Sequence, residues 1–573
     1  MRRSATVVLM SLMYTHSYAR AHFTPPGDGD AGCDTSNMAS TYVPIESWIY
    51  PAIERLAMAG YVQTAFAGLR PWTRMESARL VGEAQEQLVD QQNNLDSGEE
   101  VDEQMRSLIK DLAGEFAVEL RQWDGECNRQ AAIDSVYSRS TAIAGAPVTD
   151  GYHFAQTLTN DYGRPYGNGA NIYTGISGRA AFGSFASYVR VELQRTAPGV
   201  VTPASADAAI AAADFTPAAA SGPISGFTRG RALEAYASYT FHNNQLSFGK
   251  QALWWGPTKG GPLLFSNNAE PITMLRYDRV SPIELPGIGR WLGPIRGQFF
   301  LGRLSGQQFV HVGSQTLGQA GVSLNDQPFI NGQKISFKPS PNLEFSISRT
   351  TIFAGAGAPF TTKSFLRSLF STGNSAPGAN DPGDRRAAVD VQYTVPKLHN
   401  LLKLYVDTFT DDEVFPLAYP THSAWSPGFY VARLPHLPHM DFRAEGYLTP
   451  RRTFPGFYYF NVHYLSGYTN DRQLLGNWIG RESNGYQLWS TWWISPRSSV
   501  QVHARQQNAS SVFLRGGDLR DLGVNADLAL SPHWRVGAAV QQERWRFPLL
   551  ADSSKNNVTA TIQLSYRPKA GDN

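Results

Sequence analysis

The stretch from Val558 to Tyr566 sets Val558, Ala560, Ile562, Leu564 and Tyr566 on one face of an extended chain and Thr559, Thr561, Gln563 and Ser565 on the other. Successive side chains of a strand point to opposite faces, so a period of two describes a strand between two different solvents. Val500 to Arg505 repeats the pattern, with Val500, Val502 and Ala504 opposite Gln501, His503 and Arg505. The polar face carries charge and the other face is small, apolar or aromatic. Strand after strand of this kind, joined by alternately tight and loose turns, describes a closed barrel that is apolar toward lipid and polar toward its lumen.

The chain of 573 residues is long enough for one large barrel and a small extra domain. Charged residues make up 17%, below the roughly 25% of soluble domains. Aromatic residues reach 12%, and such rings are favoured where lipid meets water. No internal apolar run is long enough for a membrane-spanning helix. A formal net charge of +2 argues against a nucleic-acid partner. Arg2 and Arg3 precede the short apolar run Val7–Met13, and Ser17-Tyr18-Ala19 offers a small-x-small cleavage site, so residues 1–21 read as a secretory signal. Cys33 and Cys127 are the two cysteines. An oxidising compartment allows one disulfide between them, and two separate thiols are the alternative.

Residues 40–135 have a helical texture and are expected to form a small periplasmic α-helical bundle. Ile49, Ile53, Leu56 and Ala57 recur at helical spacing before a stop at Gly60. Thr73 followed by Glu76 is a capping-box pattern for a second helix through Leu80 and Leu88. A third is expected from near Glu100 through Met105, Leu108, Leu112 and Leu120. The barrel is expected over 148–568, as about eighteen antiparallel strands. Gly183, His242-Asn243-Asn244, Pro339-Ser340-Pro341, Ser495-Pro496-Arg497 and Ser531-Pro532-His533 read as tight turns at one end. Long loops at the other end are expected at 196–227, 252–294, 355–383, 411–439 and 466–484, with 252–294 acting as a plug. Gly428 to Leu434 is assigned to a folded loop, because an extra strand there reverses the side of 466–484.

Two clusters suit carbohydrate. Trp254 and Trp255 lie in a Gly-rich segment ending in Asn267 and Asn268, and Arg481 and Glu482 follow Asn477-Trp478-Ile479-Gly480. Indole faces stack on sugar C–H faces, while amides and charges bond hydroxyls. The plainer reading of the first cluster is a plug packed on the barrel wall, and of the second an ion pair that fixes loops. His436, His439 and Asp441 have a loose metal-ligand spacing, but Pro435 and Pro438 favour a solvated loop. No nucleophile elbow or His-Glu-x-x-His motif occurs. For a glycan-acting enzyme, Glu482 with Asp471 or Asp518 would be the carboxylates.

Val43-Pro44-Ile45-Glu46-Ser47-Trp48-Ile49-Tyr50, Arg70-Pro71-Trp72-Thr73-Arg74, Trp254-Trp255-Gly256-Pro257 and Asn477-Trp478-Ile479-Gly480-Arg481-Glu482 resemble, in this order, motifs of the capsule assembly protein Wzi family. The resemblance implies an eighteen-stranded outer-membrane barrel with a periplasmic helical bundle. It also implies a lectin-like role without catalysis, holding capsular or other surface polysaccharide during capsule assembly. The partners expected are that polysaccharide, outer-membrane lipid and polysaccharide export machinery. No cofactor, metal or nucleic acid is expected. A sugar or polysaccharide transport pore is the first alternative, and a glycan-acting enzyme the second. If Trp254, Trp255, Asn267, Asn268, Arg481 and Glu482 are packing residues, the expected binding surface moves to 355–383 or 411–439.

Overall fold

A computed structural model gives the fold and describes residues 33–93, 102–218, 222–371, 383–398, 401–411, 416–452 and 454–568. The expected signal segment 1–21 lies outside these residues. Eighteen antiparallel strands close into one barrel in which each strand bonds to its neighbours in sequence. They are β1 Arg129–Gly145, β2 Gly169–Phe182, β3 Phe185–Arg195, β4 Thr228–Phe241, β5 Asn244–Gln251, β6 Ile272–Arg279, β7 Ile295–Arg303, β8 Phe329–Ser340 and β9 Leu343–Phe353. The second half contains β10 Asp384–Thr394, β11 Leu402–Asp411, β12 Ala424–Val431, β13 Met440–Leu448, β14 Ser483–Ser495, β15 Ser498–Ala509, β16 Gly517–Ala529, β17 Trp534–Arg546 and β18 Lys555–Tyr566. β1 pairs with β18 from Val136 opposite Tyr566 to Gly145 opposite Asn557, which leaves no edge.

Three expectations are corrected. The barrel begins at Arg129 rather than 148. The expected loop 252–294 is cut by β6, so only 252–271 enters from the long-loop end, while 280–294 connects at the short-turn end. β12 lies inside the expected loop 411–439 and is a full member of the wall. The two added strands cancel in parity, so the connection before β14 stays at the long-loop end.

The outer wall is apolar. Ile172, Leu193, Phe248, Leu522, Val540 and Ile562 are all exposed there, a continuous surface that only lipid covers favourably. Exposed Phe182, Phe185, Tyr239, Phe241, Trp534 and Tyr566 ring the short-turn end, where indole and phenol rings suit an interface.

Four helices precede the barrel: α1 Ile49–Met58, α2 Arg74–Asn93, α3 Glu103–Glu115 and α4 Ala117–Trp123. Leu56, Leu80 and Leu112 are fully buried in one core with Ile53, Val81 and Leu108. The expected third helix breaks in two at Phe116, whose ring lies 4.8 Å from the Arg74 guanidinium. Thr73 caps α2 by accepting from the Glu76 N–H at 3.1 Å. The Glu76 carboxylate turns to Arg79 at 2.8 Å, so it does not complete the expected box.

The bundle seals the short-turn mouth. Glu54 pairs with Arg443 at 2.8 Å and with Lys403. Glu115 pairs with Arg567, just past β18, and Asp102 with Arg433. The segment between α1 and α2 rises into the lumen, where Glu344 accepts from the N–H groups of Ala67 and Gly68 at 2.9 and 3.0 Å. A Cβ at Gly68 would lie 2.8 Å from an Asp390 carboxylate oxygen, so a larger residue there would displace the Asp390 side chain. Cys33 and Cys127 form a disulfide that ties the chain ahead of the bundle to the foot of β1.

Two further helices lie toward the long-loop end. α5, Ala204–Ala213, sits in the Ala/Pro-rich connection between β3 and β4. α6, Thr362–Phe370, lies against the outer wall. Its Ser368 hydroxyl accepts from Asn331 at 2.7 Å, and its terminal carbonyls of Leu369 and Ser371 accept from Arg349 at 3.0 and 2.7 Å.

Candidate functional site

The six carbohydrate candidates do not form an exposed surface. Trp254, Trp255, Asn267, Asn268, Arg481 and Glu482 are all buried, between 1% and 6% exposed. Trp254–Trp255 forms a two-residue ladder with Leu69–Arg70 of the inserted bundle segment. The Trp255 indole N–H donates to Gln298 at 2.8 Å, and its ring meets Phe300 and Phe265 at 5.4 and 6.0 Å. Asn268 accepts from Asn160 N–H at 3.1 Å and donates to the Leu474 carbonyl at 3.2 Å. Tyr162 N–H donates to the Asn267 carbonyl at 2.8 Å. These rings and amides converge from three segments and pack against one another.

The rest of the lumen is filled by the same device. Phe66 and Leu69 from the bundle, Leu263, Leu264 and Phe265 from the loop after β5, and Tyr459, Tyr468, Trp478 and Ile479 from the loop after β13 share one apolar core. Wall carboxylates hold the inserted backbone: Glu445 accepts from Lys259 and Gly260 N–H at 2.7 and 2.9 Å, and Asp407 from Leu263 N–H at 2.7 Å. Buried N–H groups need such acceptors, and ionised ones bind most strongly.

Arg481 and Glu482 clasp one residue of the loop after β13. Arg481 donates to the Gly456 carbonyl at 2.6 Å, and the Gly456 N–H donates to Glu482 at 2.8 Å. Gly456 has φ +70°, and the Phe513 ring occupies the space a Cβ would need. Arg481 also pairs with Asp214 at 2.5 Å. His153 lies between Asp150 and Asp214, 2.7 Å from each. Burial disfavours the His153 imidazolium, but the two carboxylates outweigh it and raise the group to about 9. The network therefore locks together the loops after β1, β3 and β13.

The suspected enzyme carboxylates do not share a cleft. Glu482 binds Gly456, Asp471 pairs with Arg231 at 3.0 Å, and Asp518 stands on β16 opposite Asn508 and Arg546. The loose metal set is also committed elsewhere. Asp441 accepts from the Trp493 indole at 2.8 Å, and His439 meets Gln104 of the bundle.

At the long-loop end a different aromatic tract runs over a buried base of Tyr458 and Phe460 and ends in exposed Phe215 and Tyr419. Phe215, 61% exposed, meets Phe460 at 6.0 Å, and Phe460 meets Phe454 at 5.9 Å. Phe454 and Phe457 are half-buried neighbours at 5.3 Å, with Arg452 over Phe457 at 5.5 Å. The Tyr458 hydroxyl donates to the His422 carbonyl at 2.8 Å, and exposed Tyr419 stacks on His422. The tract thus spans the loops after β3, β11 and β13. Its signal was present in the run Phe454-Pro455-Gly456-Phe457-Tyr458-Tyr459-Phe460, which has neither strand nor helix period.

An apolar-walled closed barrel with an apolar core built inside its lumen defines the class: an outer-membrane β-barrel. Such barrels keep short turns in the periplasm and long loops outside, which puts the bundle in the periplasm and the aromatic tract at the cell exterior. Residues 139–560 match the family described as Capsule assembly protein Wzi, and the chain belongs to that family. A Klebsiella pneumoniae protein described as an uncharacterized 55.8 kDa protein in the cps region is 29% identical over 195 residues, covering 33% of this chain and 35% of that one. The fold is similar to that of Escherichia coli Wzi, an outer membrane protein involved in group 1 capsule assembly and described as a carbohydrate-binding β-barrel. The TM-score is 0.64 at 14% identity, over 92% of this chain and 99% of that one.

Proposed function

We propose that this protein is a non-catalytic, lectin-like outer-membrane barrel that binds and anchors capsular or other surface polysaccharide during capsule assembly. The observation that carries the reading is the accessible aromatic tract from Phe215 through Phe454 and Phe457 to Tyr419, set over a sealed lumen. Exposed Phe215 and Tyr419, with half-buried Phe454 and Phe457 between them, offer ring faces for stacking, and Arg452 and His422 beside them offer donors for hydroxyls or carboxylates. The family and the carbohydrate-binding description of the Escherichia coli protein support the same role. Each ring contributes only about 1 kcal/mol, so retention rests on many barrels gripping one long polymer. Export machinery would meet the exposed second half of α2, which projects from the bundle into the periplasm.

The test is polymer retention on cells. Phe215→Ala combined with Phe457→Ala and Tyr419→Ala is expected to release polymer into the medium while barrel abundance stays normal. Wild-type retention by that variant rules out the tract as the binding surface. The transport-pore reading is tested in planar bilayers, where the wild-type protein is expected to give no steady conductance.

A further inference from the structure

The outward side chains of β14 to β18 stand in registered rows. One row reads Leu488, Ala504, Leu522, Gln542 and Val558 across the five strands. The row inside it, through Ser490, Val502, Val524, Val540 and Ala560, is apolar apart from Ser490, whose hydroxyl donates to the Asp441 carbonyl at 3.1 Å. One step of two residues toward the cell exterior, the row becomes Tyr486, Gln506, Arg520, Arg544 and Asn556. A step of two residues covers about 7 Å along a strand, so within that distance the wall passes from a mainly apolar row to one with no aliphatic side chain. Such a change on a lipid-facing surface marks the boundary between acyl chains and headgroups.

Two arginines stand side by side at this boundary. Arg520 and Arg544 are direct cross-strand partners, and both are exposed. Like charges directly opposite one another are destabilising unless an anion lies between them. Among the described residues no carboxylate pairs with either; Asp518 stands in the next row, opposite Arg546. Arg544 makes a single long contact, to the Ser554 hydroxyl at 3.4 Å. Tyr486 donates to Gln506 at 3.1 Å and Gln506 to Asn508 at 3.1 Å, so the flank of the pair is an ordered row of hydrogen-bonding groups.

We propose that Arg520 and Arg544 form a clamp for the phosphate of an outer-leaflet lipid headgroup. Guanidinium forks match phosphate oxygens in a planar, two-point geometry, and two forks on adjacent strands present donors from both sides of one group. Tyr486, Gln506 and Asn556 supply the uncharged contacts that a headgroup sugar or glycerol requires. The position selects a lipid over a soluble anion, because the row directly below is apolar apart from Gln542 and receives acyl chain. Bound lipid would also relieve the repulsion between the two arginines.

The experiment uses the full-length protein in detergent micelles, with diphosphoryl lipid A as the probe and bound lipid counted by native mass spectrometry. Arg520→Gln with Arg544→Gln is expected to weaken retention roughly tenfold or more, since each arginine contributes charge-assisted bonds. Enzymatically dephosphorylated lipid A is expected to bind the unaltered protein equally poorly, which tests the clamp without any variant. A heat-modifiable gel band confirms that the variant barrel is closed. Equal retention of phosphorylated and dephosphorylated lipid overturns the proposal. So does equal retention by the folded double variant. Inorganic phosphate binding as tightly as the lipid overturns the choice of a lipid ligand, and so does displacement of the lipid by acidic polysaccharide.

Discussion

The periplasmic bundle and the barrel lumen both bury a large apolar core, yet they build it from opposite materials. In the bundle the core residues sit on helices at spacings of three and four, as with Met105, Leu108, Ile109 and Leu112 on α3. Each helix satisfies its own backbone apart from its first and last turns, so side chains decide most of the packing. In the lumen much of the core comes from connections with no regular period, and their N–H groups are satisfied by carboxylates on the wall at Lys259, Gly260 and Leu263 and by backbone carbonyls of neighbouring connections elsewhere. The comparison teaches that a polar barrel interior need not be wet. Charged inward residues serve as acceptors for an inserted backbone that carries its own apolar side chains.

The sharpest way to break the comparison is Trp255→Ala. Loss of this ring from its contacts with Phe265 and Phe300 is expected to cost the plug about 3–5 kcal/mol. Planar-bilayer recordings should then show conductance, with the bundle's thermal transition unchanged. A variant that stays sealed would mean that the wall carboxylates hold the plug without the indole.

Leu112→Ala is the counterpart in the bundle, with an expected cost of about 2–5 kcal/mol. Its thermal transition should fall while the lumen stays closed to ions. Conductance in this variant would show that the two cores unfold together.

The third measurement uses pH. His153 is held above its unfolded value of 6.5, at about 9. Its contribution is therefore fully present below pH 6.5 and is lost as the pH rises through about 9, with a size on the order of 3 kcal/mol. Proteolysis of the external loops after β1, β3 and β13 should rise across that window, and His153→Gln should flatten the dependence. The bundle should show no matching change.

The smallest expected effect is at Thr73. Thr73→Ala removes the cap bond to Glu76 and should cost the bundle about 1 kcal/mol, seen as a small drop in its unfolding temperature.

The same contrast explains which parts were legible in sequence. β18 and β15 separate lipid from lumen along most of their length, so their alternation is plain. The helices of the bundle and the tight turns at Gly183 and His242-Asn243 follow from periodicity and turn chemistry in the same way. β6 was hidden because its inward face changes character, from Ile272 and Met274 against the plug to Arg276 and Asp278 below. β12 was hidden by Pro427 and Gly428, strand breakers that the wall accommodates where the pairing with β13 is interrupted between Trp425 and Gly428. The lower half of β1 alternates weakly, with small side chains at Ala131 and Ala132 and a bulge between Ile133 and Ser135. Trp254, Trp255, Arg481 and Glu482 were legible as special residues but not as buried ones, because burial depends on where a loop folds. The accessible tract around Phe457 was missed because aromatic loops carry no period.

The disulfide fixes how the protein transmits force. It links residues 94 apart and encloses the whole bundle, together with the segment inserted in the lumen, in one covalent loop. Tension applied to the chain ahead of Cys33 passes directly to Cys127 and then into β1, which is anchored on both sides by β18 and β2. The helices and the lumen segment lie off that line of load. A pull on that leading segment is therefore borne by the barrel wall, and the bundle and its inserted segment are bypassed.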